Sequence, residues 1–197
     1  MPTTRSDATS TRRGAPERAR YVALFRAINV GSRQLHKDVL QDAFARAGGE
    51  NPRTVIHSGN VVFDANPDEA EAVVTAACRR LRTALGAEPL VMLRTVEEIT
   101  RLLRRGPFAH TPAPAIVKRY IVFLAVPPTR RPRLPVLLPK EALELVHVSK
   151  RECWVVSRRK PNGWYGFPVE FVEHAVGVRA TARNWSTVMK LAALMQT

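Results

Sequence analysis

The chain has 197 residues, 31 Lys plus Arg against 17 Asp plus Glu, 45% apolar residues and two cysteines. That length can bury a real core in one large domain or two small ones, and the ordinary apolar and charged fractions exclude a fibrous fold or wholesale disorder. No stretch reaches the ~20 apolar residues that span a bilayer. The start lacks the apolar run of a secretory signal, and Cys78 and Cys153 make neither a disulfide framework nor a zinc site. The expectation is a cytoplasmic protein with no membrane partner.

The formal net charge of +14 is unevenly placed. Residues 1–20 are net +3, 21–100 net −1, 101–160 net +11 and 161–197 net +1. Residues 1–19, rich in Arg, Thr and Ser without periodicity, are expected to form a disordered basic arm. The basic region 101–160 lies within folded sequence. A solvated Arg-rich surface is its plainer reading, and attraction of nucleic acid is the functional one.

Tyr21–Ile28 is apolar almost throughout and suits a buried strand. Residues 37–47 place Val39, Leu40, Ala43, Phe44 and Ala47 on one helical stripe, closed by Gly48-Gly49. Arg53–His57 and Val61–Ala65 flank Ser58-Gly59-Asn60 as a hairpin. Asn66-Pro67-Asp68-Glu69 reads as a cap with a capping box for a helix whose stripe runs from Ala70 to Leu85, with Cys78 in the core, and Gly86 as its stop. Glu88–Arg94 is a strand, and Thr95-Val96-Glu97-Glu98 opens a short helix ended by Gly106-Pro107.

The order is β-α-β-β-α-β plus one helix over 20–106. Residues 107–115, with three prolines, read as a linker. From 116 to 197 the same order is expected again. Ile116–Val126 is a strand, and Lys140–Val146 a helical turn or two. Val146–Lys150 and Cys153–Arg158 form a hairpin, Pro168–Val176 a helix, Arg179–Arg183 a strand and Ser186–Met195 the last helix. The predicted fold class is α+β: two ferredoxin-like (split βαβ) halves with antiparallel sheets in tandem, and a C-terminal helix.

No catalytic motif is present: no phosphate loop, no dinucleotide fingerprint, no nucleophile elbow. The histidines never reach a metal-ligand spacing, so no metal and no cofactor is expected, and whether the protein is an enzyme stays open. His57 beside Ser58 reads more simply as a hydrogen-bonded packing residue than as a base. Two segments carry polar groups that packing does not require. At the exit of the first strand, Arg26 and Asn29 should meet Ser58 and Asn60, because the first and third strands of a split βαβ sheet are antiparallel neighbours. The alternative is that Ser58 and Asn60 satisfy the turn while Arg26 pairs with an internal acid. The second segment is Arg183-Asn184-Trp185-Ser186-Thr187, leading to Lys190. Ser186 is a credible cap there, and the first helical turn an anion site; the alternative is an ordinary capped helix with Trp185 packed between elements.

The segments 21–31 (YVALFRAINVG), 57–63 (HSGNVVF) and 180–191 (ATARNWSTVMKL) resemble the domain of unknown function 1697 family. The likeness rests on Arg26, Ile28, Asn29, Val30 and Gly31, on Ser58, Gly59 and Asn60, and on Arg183, Asn184, Trp185, Thr187, Lys190 and Leu191. The resemblance implies a cytoplasmic, two-part α+β protein and supplies no reaction. Ala27 stands where the family usually has Gly, and Ser32 replaces a second Gly. A Ser-Lys pair typical between Asn162 and Phe171 is replaced by Trp164-Tyr165-Gly166-Phe167-Pro168. The expected function is binding of an anionic small molecule, phosphate- or carboxylate-bearing, between the halves through Arg26, Asn29, Ser58, Asn60, Arg183, Asn184 and Lys190. The alternative is nucleic-acid binding through 101–160, with Trp154, Trp164 and Tyr165 for stacking.

Overall fold

The computed structural model describes residues 18–28, 35–55, 59–109, 111 and 116–197. The expected arm up to residue 17, Asn29, His57, Ser58 and most of the linker after Ala109 lie outside them. The first half runs β1 (Ala19–Phe25), α1 (Lys37–Ala45), β2 (Glu50–Thr54), β3 (Asn60–Ala65), α2 (Ala70–Leu85), β4 (Val91–Thr95) and α3 (Val96–Arg104). Its four strands lie in the order β2-β3-β1-β4, each antiparallel to its neighbours. The second half runs β5 (Val117–Leu124), β6 (Val136–Leu138), a 3-10 turn (Pro139–Glu141), β7 (Leu143–Val148), β8 (Glu152–Arg158), α4 (Val169–Val176), β9 (Ala180–Asn184) and α5 (Trp185–Met195). Its five strands follow the order β6-β7-β8-β5-β9, again antiparallel. The fold is therefore α+β, with two antiparallel sheets and a C-terminal helix.

The layers explain the apolar runs. Alternate residues of β1 point to opposite faces: Tyr21, Ala23 and Phe25 pack with α1 and α2, while Val22 and Leu24 join a cluster with α3, α5 and the second sheet. That middle cluster takes Val117, Ile121 and Phe123 from β5 and Val188, Leu191 and Met195 from α5. A third cluster packs α4 on the far face of the second sheet, with Tyr120, Val122, Leu124 and Val172. Strands β1 and β5 are buried on both faces and so read as continuous hydrophobic segments.

Several expectations change. Between β5 and β7 the second half has a strand and a 3-10 turn where a repeat of the first half would have a helix. Lys140–Val146 was expected to be helical, but Leu143 and Leu145 are buried against flanking Glu144 and Val146, a period of two that β7 completes by pairing with β8. The strand expected at Arg53–His57 is β2, three residues earlier, and Pro52 is tolerated because β2 is an edge strand with a register shift between Glu50 and Arg53. Asn66 does not cap α2 by its side chain; its Oδ1 accepts from the Asp68 N–H, and its carbonyl accepts from Glu69 and Ala70. The last helix is capped by Asn184, not by Ser186. Within the expected linker, Phe108 is buried edge-on against Trp185, 5.5 Å between ring centroids. By contrast, the capping box at Thr95 and Glu98 and the burial of Cys78 are as expected.

Candidate functional site

The C-terminal end of β1 and the strand β9 border a cleft of ≈ 920 Å³ between the halves. Its lining includes Arg26, Thr181, Arg183, Asn184 and Thr187, the apolar Ile28, Tyr120, Leu143, Phe167, Val169 and Phe171, and two acids, Glu170 and Glu141, the latter paired with Lys160 at 2.9 Å. The Tyr120 ring meets Phe167 edge-on at 5.9 Å, and Phe167 is itself 65% exposed at the rim. Burial raises the Tyr120 phenol above its ordinary value. The lining thus combines aromatic and aliphatic side chains with polar groups of both signs, a makeup that suits a small-molecule site.

Arg183 belongs to this lining and is only 5% exposed. Its Nε donates to Asn60 Oδ1 at 2.6 Å, its Nη1 to Thr181 Oγ1 and the Ala182 carbonyl at 2.8 Å each, and its Nη2 to the carbonyls of Phe25 at 2.8 Å and Gly59 at 3.1 Å. All five guanidinium donors are therefore used, every one on a neutral acceptor. No carboxylate forms an ion pair with it among the described residues, and burial alone draws its pKa down to about 10. The side chain clamps the second half to the end of β1 and the turn before β3. Gly59 fits that turn because its φ is +69° and a Cβ there would come within 2.6 Å of Ile28.

The same clamp occurs in reverse. Arg94 on β4 is 2% exposed, and its Nη2 donates to the carbonyls of Leu124 at 2.8 Å and Arg151 at 2.6 Å, its Nη1 to that of Leu93 at 2.8 Å. Leu124 ends β5 as Phe25 ends β1, and the Leu124 N–H bonds the Arg151 carbonyl as the Phe25 N–H bonds that of Gly59. Likewise Arg26 N–H donates to Leu90 and Ala125 N–H to Arg179, both at 2.9 Å. The arginine of each half's last strand thus fastens the end of the other half's first strand. A cleft of ≈ 580 Å³ beside Arg94, lined by Tyr21, Thr95 and Glu98, stands where the larger one stands beside Arg183.

Of the expected site residues, Arg26, Asn60, Arg183 and Asn184 come together. Arg26 does pair with an internal acid: its Nε and Nη2 reach the two Glu173 oxygens at 3.1 Å each, and Nε also reaches the Ala180 carbonyl. Its Nη1 makes no hydrogen bond to a described residue. Asn60 is fully buried, donating Nδ2 to the Val55 carbonyl at 2.9 Å and accepting from Arg183, and it does not line the cleft. Asn184 lines the cleft and accepts from Ser186 N–H at 3.2 Å. Lys190 is exposed on α5 outside the cleft lining. Sequence reading missed Arg94, Thr181 and the Tyr120–Phe167 pair. The signal for Arg94 was an arginine in a strand directly before a helix cap, the pattern that Arg183-Asn184 shares with Arg94-Thr95.

Within 101–160, a second groove of ≈ 570 Å³ gathers Arg101, Arg105, Arg131, Lys150 and Arg151 around Trp154. His147 stacks on Trp154 at 4.1 Å. Burial, and then Arg105, lowers the His147 pKa. Two of the cations are paired, Arg151 with Glu98 at 3.0 Å and Arg105 with Glu152 at 3.6 Å. Trp164 is 74% exposed, while Tyr165 lies under the Lys118 ammonium at 4.7 Å. No group of His, Cys, Asp and Glu able to hold a metal occurs among the described residues, and no helix among them is long and apolar enough to cross a membrane.

No curated protein matches the chain. Among solved structures it is similar to a conserved bacterial protein from Streptococcus pneumoniae, with a TM-score of 0.61 and 17% identity over 92% of this chain and 100% of that one. At that identity the likeness concerns the fold. The family described as "Protein of unknown function (DUF1697)" matches residues 18–154, which include Arg26, Ser58 and Asn60 and stop short of Arg183. The match covers well over half of the chain, which therefore belongs to the DUF1697 family.

Proposed function

We propose that this protein binds an anionic small molecule, phosphate- or carboxylate-bearing, in the cleft between its halves. The observation that carries the reading is the buried guanidinium of Arg183, set in the wall of a ≈ 920 Å³ cleft with no carboxylate paired to it among the described residues. Its donors are consumed by the chain, so it acts on a ligand through its field, which a low-dielectric wall strengthens. Direct contacts fall to the Arg26 Nη1, Asn184 and Thr187, with Tyr120, Phe167 and Phe171 holding the apolar part of the ligand. Asn29 and Ser58 belong to the same proposal by their place in the sequence. The order β2-β3-β1-β4, with α1 and α2 on one face, supports reading the first half as a split βαβ unit of ferredoxin type. We further read the two halves as tandem domains, 20–106 and 116–197, in a cytoplasmic protein. Two buried free cysteines in separate cores are in keeping with a reducing compartment.

A thermal-shift and ligand-observed NMR screen of phosphorylated and carboxylated compounds tests the reading. At least one class should stabilise the native chain, and Phe167→Ala or Arg26→Met should weaken that response. An unchanged melting temperature and silent NMR across the panel would overturn it. The second reading, nucleic-acid binding, draws on the groove around Trp154, where Arg101, Arg131 and Lys150 form no ion pair among the described residues. Retention of single-stranded RNA above ~0.2 M salt, lost in Arg131→Glu/Lys150→Glu, would favour it over nonspecific attraction.

A further inference from the structure

We propose that the cleft receives its ligand by a carboxylate, seated over the first turn of α5 at the place where the other half of the fold seats the carboxylate of Glu98. This inference rests on the cleft being an anion site, and it names the anion.

The two strand-to-helix junctions are built alike. Arg94 ends in the buried clamp, Thr95 caps α3, and Glu98 stands three residues after the cap. Arg183 ends in the reciprocal clamp, Asn184 caps α5, and Thr187 stands three residues after that cap. In the first junction the Glu98 Oε2 accepts from the Thr95 N–H at 3.0 Å, and Glu98 also pairs with Arg151 at 3.0 Å. A carboxylate thus sits over the helix start, close enough to the buried guanidinium that Glu98 offsets part of the burial effect on Arg94. In the second junction Thr187 brings a short hydroxyl to that position, and it lines the larger cleft. Among the described residues no acid offsets the burial of Arg183.

The same fold therefore provides its own example of the anion that suits this junction: a planar group of two oxygens, taking a backbone N–H at the cap, paired with Arg151 and lying near a buried arginine. A phosphate dianion is the poorer match. It asks for more donors, and the Ser186 N–H on this turn is already held by Asn184 Oδ1 at 3.2 Å. Arg26 lines the cleft where the other half has Ala125; Glu173 holds its Nε and Nη2 at 3.1 Å each, which leaves Nη1 as its donor for the same anion. Beyond the carboxylate, Tyr120, Phe167 and Phe171 call for an aromatic or branched apolar body. The ligand class is a small aryl or branched-alkyl carboxylic acid.

The test uses the full chain, phenylacetate as probe, phenylacetamide as its uncharged counterpart and phenyl phosphate as the competing anion. Ligand-observed NMR registers weak binding and thermal shift registers stabilisation. Wild type is expected to bind phenylacetate and ignore the amide. Thr187→Glu supplies the carboxylate from the chain itself; it should melt above both wild type and Thr187→Gln without any ligand, and lose at least tenfold in phenylacetate affinity. The inference is overturned if Thr187→Glu melts no higher than Thr187→Gln, or if it binds phenylacetate as wild type does. Binding of phenyl phosphate but not phenylacetate, sensitive to Thr187→Glu, overturns the carboxylate assignment and leaves the anion site standing. Silence from both anions overturns the two together.

Discussion

Replacing Arg183 by methionine keeps most of the side chain's length and removes all five of its hydrogen bonds. Two of the acceptors keep a donor: Phe25 O still receives Thr181 Oγ1 at 3.2 Å, and Gly59 O still receives the Phe25 N–H at 2.9 Å. Asn60 Oδ1 and the Ala182 carbonyl lose donors at 2.6 and 2.8 Å. Each such buried loss costs about 1–3 kcal/mol, and relief from burying an unpaired charge returns part of it. The expected net loss is about 3 kcal/mol, which at a urea m-value of about 2 kcal/mol/M moves the unfolding midpoint down by about 1.5 M. Fluorescence of Trp154, Trp164 and Trp185 follows the transition. Arg183→Lys should fall between the two, since an ammonium keeps the charge with three donors and no planar fork. Arg94→Met should lose a comparable amount, because it leaves Leu124 and Arg151 in the reciprocal position. A midpoint for Arg183→Met within about 0.3 M of wild type would refute the idea that this arginine locks the halves together.

Ala27 adopts φ +54°, a left-handed conformation that costs a non-glycine residue about 1–2 kcal/mol. Ala27→Gly should therefore stabilise the fold by a net of about 0.5–1 kcal/mol after the entropy glycine adds to the unfolded chain, read as a higher melting temperature; a lower melting temperature would count against it. Burial pushes the Cys78 thiol up to about 11 and the Cys153 thiol to about 12, from an ordinary 9.0. The unfolded chain then loses these protons first, so stability should fall from about pH 9 upward, and Cys153→Ala should flatten that fall. Neither thiol should react with an aromatic disulfide reagent at pH 8 before urea is added. The Arg20 guanidinium, 2.6 Å from Asp64 Oδ1, followed by Asn51, holds the Asp64 carboxyl below its ordinary 3.8. That stabilisation is present above the unfolded value and is lost as pH falls through the lower, folded one, so Asp64→Asn should flatten the acid limb of the stability curve.

The amino-acid order alone determined what depends on neighbours in the chain. The stripe from Ala70 to Leu85, the Thr95 capping box, the buried runs of β1 and β5 and the hairpin around Gly59 follow from periodicity, caps and turn residues, which act within a few positions. It also marked Arg26 as a charge needing a partner, since a lone charge in an apolar strand has few stable fates. Tertiary structure decided the rest. Lys140–Val146 is compatible with a helical turn or a strand, and the open edge of β8 chose the strand by offering a ladder to β7. Which donors Arg183 uses was settled by carbonyls 124 and 158 residues away. Backbone carbonyls are the same at every position, so no residue type announces them. The cleft has the same origin: Tyr120, Phe167 and Thr187 are ordinary residues in sequence, and only the packing of α5 between two sheets brings them into one lining.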